Sequence, residues 1–87
     1  MNEQEIRETL ASLRAEIREL KLAPEESKRL ERLVAGAEAD LEQPRPPEER
    51  QGLIDELSLA VDQFEVRHPR FTAMLNRLAS SLSAMGI

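Results

Sequence analysis

Residues 65–85 read EVRHPRFTAMLNRLASSLSAM, and the way the chain passes Pro69 decides the fold. A proline inside a helix has no N–H to give the carbonyl four residues back, here Glu65, and its ring crowds that carbonyl. His68, just before it, is pushed towards extended geometry. A helix arriving from the N-terminal side therefore breaks or bends, and a new one starts. Beyond the break, Phe71, Met74, Leu75, Leu78, Leu82 and Met85 recur at helical spacing as one apolar face. Thr72, Ala73, Asn76, Ala79, Ser80 and Ser83 make the opposite side, small and uncharged. If the preceding helix reaches Val66 or Arg67, only about one or two residues remain for a turn, whereas a helical hairpin uses about two to five. The spacing predicts a kink or sharp corner rather than a full reversal. The apolar face must then be covered by another chain.

The charge distribution points the same way. Of 12 basic and 17 acidic residues in the 87, residues 71–87 carry only Arg77. All the acids fall within residues 1–65, while residues 66–87 hold Arg67, Arg70 and Arg77. A helix almost free of charge in so charged a chain reads as buried and central, here at a symmetric dimer interface. A net charge of −5 opposes nucleic acid, whose binders carry a basic face. With no Tyr or Trp and 2 Phe, there is little to stack on bases. No stretch reaches the roughly 18 apolar residues of a membrane span. The acidic, amphipathic start MNEQEIRETL does not resemble a secretory signal. The expectation is a cytoplasmic protein.

Upstream, Ala, Leu, Glu and Arg dominate, a helical composition. Ile6, Leu10, Leu13, Ile17 and Leu20 alternate spacings of four and three, a coiled-coil-like seam on a helix from about Asn2 to Lys21. Pro24 suits the first position of a second helix, with Glu25 and Glu26 beside its positive end. Ala23 is a poor cap, so this start frays or slips to Ser27. The second helix runs to about Glu42 with Leu30, Leu33, Val34, Ala37 and Leu41 inward. Gly36 lies within it at a cost of about 1 kcal/mol against Ala; either a neighbouring backbone passes close there or the cost is simply tolerated. The prolines of QPRPP (43–47) cannot be helix interior, so residues 44–47 form a linker. A third helix starts near Pro47 and buries Leu53, Ile54, Leu57, Ala60, Val61 and Phe64. The expected architecture is a single all-α domain over 1–87. It is a helical bundle of about four helices in two pairs, 1–43 and 48–87, the second pair kinked at Pro69. A chain this small buries only about 60–65% of its unfolded surface, so oligomerisation has a physical motive.

Chemistry is sparse. Glu65 and His68 form a Glu-x-x-His pair, the signature of di-metal carboxylate bundles, and two copies in a dimer would bring two pairs together. Such a site also needs inward glutamates from other helices, where the core positions are Leu, Ile, Val and Ala. Hydrogen bonding at a helix end is the plainer use of His68. There is no cysteine and no glycine-rich phosphate loop. The paired acids after Pro24 and Pro47 are explained by the helix dipole. The expectation is no enzyme, no cofactor and no small-molecule substrate.

The two ends carry a resemblance. The start MNEQEIRETL and the end HPRFTAMLNRLASSLSAMGI resemble a small family of uncharacterised bacterial proteins. Its members begin Met-Asn-x-x-x-(Leu/Ile)-Arg and end Leu-Ser-x-Met-Gly-Ile. The chain departs from the family's pattern at Ala84, where Asn is usual, and at Ala23, where a capping Asp is usual. The resemblance implies a bacterial all-helical protein and no activity. The resulting expectation is a non-catalytic module that self-associates, as a dimer, or binds an unidentified protein. Its contact would join Phe71, Met74, Leu75, Leu78, Leu82 and Met85 to the seam Ile6, Leu10, Leu13, Ile17 and Leu20. The alternatives are a di-metal bundle using Glu65 and His68, and peripheral membrane binding by the last helix.

Overall fold

The computed structural model describes residues 2–85, without the side chain of Met85. It has four helices: α1 (Glu3–Glu19), α2 (Pro24–Glu42), α3 (Pro47–Phe64) and α4 (Pro69–Met85).

The helix ends follow from local chemistry. Asn2 caps α1, its Oδ1 accepting the Glu5 N–H at 2.8 Å. Past Glu19 the chain turns at Lys21, whose φ of 51° is the left-handed conformation that commonly closes a helix. The second helix begins at Pro24 despite its side-chain-free cap: the Ser27 N–H reaches the Ala23 carbonyl at 3.0 Å. The expected slip to Ser27 does not occur, because the proline already holds a helical φ.

The turn before Pro69 corrects the predicted kink. Helix α3 stops at Phe64, two to three residues before the expected Val66 or Arg67, so residues 65–68 are available to reverse the chain. The His68 N–H bonds the Phe64 carbonyl at 2.8 Å, and the Thr72 N–H bonds the His68 carbonyl at 3.0 Å. Four residues are enough for a helical hairpin. Helix α4 accordingly packs along α3 and also along α1.

Connections over 20–23, 43–46 and 65–68 are all short, so successive helices run antiparallel. Each packs on the next, and α4 closes back on α1. The result is one up-and-down four-helix ring of 34 × 23 × 19 Å. Its core takes Ile6, Leu10, Leu13 and Ile17 from α1, with the apolar stripes of the other three helices. Of the small face of α4, Thr72 and Ala79 are buried, while Ala73, Asn76, Ser80 and Ser83 are exposed.

Candidate functional site

The residues assigned by sequence to self-association form the interior of the single chain. Ile6, Leu10, Leu13, Ile17, Phe71, Leu75, Leu78 and Leu82 are each no more than 2% exposed. Leu20 and Met74 are half-buried against the same core. The seam of α1 does meet the face of α4, but within one molecule. This is a correction with a simple cause: once four residues reverse the chain at 65–68, α4 needs no second chain to cover it. The apolar face that would have rested on a membrane is the same buried face, and among the described residues no helix is long and apolar enough to cross one. The side chain of Met85 lies outside the described residues.

Glu65 is exposed in the turn. His68 is half-buried beside Phe64, with ring centroids 6.4 Å apart. It shares a small pocket with Glu16, Leu20, Arg67, Pro69, Arg70 and Phe71. Two guanidinium groups and one carboxylate line that pocket, a poor electrostatic setting for a cation. Among the described residues, no group of three or more His, Cys, Asp or Glu is placed to hold a metal ion.

The unforeseen feature lies at the opposite end of the bundle. Asp40 is fully buried and Arg50 nearly so. Arg50 Nε donates to Asp40 Oδ2 at 2.8 Å and Nη2 to Oδ1 at 3.2 Å. The Arg45 backbone N–H donates to the same Oδ1 at 2.8 Å. One carboxylate thus joins the end of α2, the linker and the first turn of α3. The signal was present in sequence. Asp40 lies three residues beyond Ala37 on the apolar stripe of α2, and Arg50 three before Leu53 on that of α3. Opposite charges on two facing stripes, either side of a tight linker, mark a buried pair.

That pair sits at one end of a groove between α2 and α3. The groove is open, of about 640 Å³, lined by Arg32, Leu33, Gly36, Arg45, Glu49, Gly52, Leu53 and Glu56. Its floor is low because two lining positions are glycine. A Cβ built on Gly36 would lie 3.5 Å from Leu53 Cδ1, an ordinary contact with a side chain. What passes near Gly36 is thus the Leu53 side chain and not a neighbouring backbone, which leaves the reading of a tolerated cost. A Cβ on Gly52 would meet nothing within 4 Å. Neither glycine has a positive φ. Elsewhere the bundle surface is tied by ion pairs. Arg14 Nε donates to Glu38 Oε2 at 3.1 Å between α1 and α2, and Arg7 contacts Glu3 at 2.9 Å and Glu42 at 3.2 Å. The hydrogen bonds from Arg14 hold the Glu38 carboxyl below its ordinary range, against an opposing push from partial burial.

Fold and groove together define a small up-and-down helical bundle with an open seam between its second and third helices. The family described as a domain of unknown function, DUF4404, matches residues 6–87. The chain belongs to that family. No curated protein and no solved structure matches it.

Proposed function

We propose that the chain is a non-catalytic helical module that self-associates as a homodimer, with the α2–α3 groove as its contact surface. One observation carries the reading: the free chain makes no use of its two groove glycines. Each costs roughly 1 kcal/mol against alanine in a helix. Neither is required by backbone conformation or by a close neighbour, since a Cβ at Gly36 would be in ordinary contact and one at Gly52 in open space. What the glycines do is keep the groove empty. A second copy laid over this seam would use that space, bringing its own α2–α3 face close to both helices. The burial gained is of the kind a small chain lacks.

Solution mass by light scattering on the intact chain, from micromolar to millimolar concentration, tests this. The expected result is a concentration-dependent dimer. Gly52→Trp, which fills open space in the free chain, should yield a folded monomer with unchanged helicity by circular dichroism. Gly52→Ala should leave the free chain more stable by about 0.5–1 kcal/mol, because nothing there needs glycine. A wild-type chain that stays monomeric throughout the range overturns the reading.

A further inference from the structure

The charges around the groove specify how two copies would meet, an inference that rests on the self-association reading. The groove has two unlike banks. Helix α2 and the linker supply Arg32 and Arg45, and α3 supplies Glu49 and Glu56. Among the described residues, the ion pairs of the chain engage Arg7, Arg14, Arg50 and Arg67, and none engages these four. Two cations and two anions therefore border one groove without forming a pair across it.

Their levels along the groove are fixed by cross-helix contacts. Arg29 Nη1 donates to Gln63 Oε1 at 2.9 Å, Gly36 faces Leu53, and Asp40 binds Arg50. Arg32 lies between the first two contacts on α2, and Glu56 lies between the same two on α3. Arg45 and Glu49 both lie at the linker end, beside the Asp40–Arg50 pair. Each level thus carries one cation on one bank and one anion on the other.

We propose that two copies dock groove to groove about a two-fold axis parallel to the groove. Arg32 of each copy then faces Glu56 of the other, and Arg45 faces Glu49. Such an axis exchanges the banks and keeps the levels. Each cation meets an anion, and α2 of one copy runs antiparallel to α3 of the other. An axis across the groove would instead set α2 on α2 and α3 on α3, opposing like charges, which is costly at an interface. Isologous contacts must be self-complementary, and this pattern is so in one orientation only. The glycines, between the two charged levels, leave room for the opposing copy.

Charge exchange tests the pairing. Arg32 and Glu56 are exposed in the free chain, so neither substitution touches the core. In a symmetric dimer, Arg32→Glu alone sets two glutamate pairs face to face, and Glu56→Arg alone sets two arginine pairs. Each single variant should dimerise more weakly by roughly tenfold or more, read by sedimentation equilibrium. An equimolar mixture of the two variants should form a heterodimer, since every facing pair is again opposite in sign. The double variant Arg32→Glu with Glu56→Arg should dimerise like the wild type. If the wild type dimerises and the single variants dimerise equally well, this pairing is wrong, although self-association stands. A wild type that is monomeric throughout removes both.

Discussion

Replacing Asp40 by alanine removes the carboxylate that accepts two hydrogen bonds from Arg50 and one from the Arg45 backbone. The Arg50 side chain is 9% exposed and that of Asp40 0%. The variant therefore leaves a guanidinium with little water and no anion, and an N–H without its acceptor. Removing one partner of a buried pair costs about 3–5 kcal/mol. Arg50 lies in the first helical residues after the linker, so its side chain has a short path to solvent, which favours the low end, about 3 kcal/mol. A chain of this size is stable by roughly 4–13 kcal/mol in all, and 3 kcal/mol lowers its melting temperature by about 12–24 °C. Denaturant titration followed by far-ultraviolet circular dichroism, at fixed protein concentration, measures the loss. The pair Asp40→Leu with Arg50→Met should recover most of it, because two apolar groups leave no buried charge behind. A loss below about 1 kcal/mol in Asp40→Ala would refute the reasoning, and so would a double variant weaker than the single one.

Two further outcomes follow from the geometry. The depressed Glu38 carboxyl contributes stability above its unfolded value of about 4.3 and loses that contribution as pH falls through the lower folded value. The stability difference between wild type and Glu38→Gln should therefore shrink on acidification below about pH 4.3, and a difference unchanged in acid would contradict this. Leu78→Asp should unfold the chain rather than dissociate an assembly, since Leu78 is 0% exposed within one molecule. Retained helicity in that variant would show the core to be misplaced.

Apolar periodicity made the helices legible. The stripes of α1, α2 and α4 were read from spacing alone, and among the described residues they form the core or, at Leu20, Leu41 and Met74, pack against it half-buried. Composition pointed to helices, and the prolines marked the breaks between them; α2, α3 and α4 start at Pro24, Pro47 and Pro69, where the sequence reading had allowed a slip to Ser27, a start near Pro47 and a kink. What misled was an end rather than a start. Nothing after Phe64 announces a stop, because Glu65, Val66 and Arg67 are all acceptable in a helix. Extending α3 through them removed the residues needed for the turn, and that small error turned an intramolecular core into a supposed interface. The buried Asp40 was missed because charged positions were assigned to solvent by type. Its partner is ten residues away across a linker, so each had to be placed on its own apolar stripe before the pairing could be seen. The groove depended on a similar step: Gly36 drew attention in the sequence and Gly52 did not, yet it is at Gly52 that a Cβ would meet open space.

The reversal at 65–68 also bears on how faithfully each chain keeps its own α4. Helix exchange between copies by the helical route would require α3 to run straight into α4, with the present turn rewound as continuous helix. Pro69 obstructs that state. Its ring would press on the Glu65 carbonyl and leave it without a donor, at a cost of about 3 kcal/mol or more. In the folded-back form the same residue stands at the first position of α4, where no donor is required. The proline that starts the helix thus also ties each C-terminal segment to its own chain and opposes any trading of helices between copies.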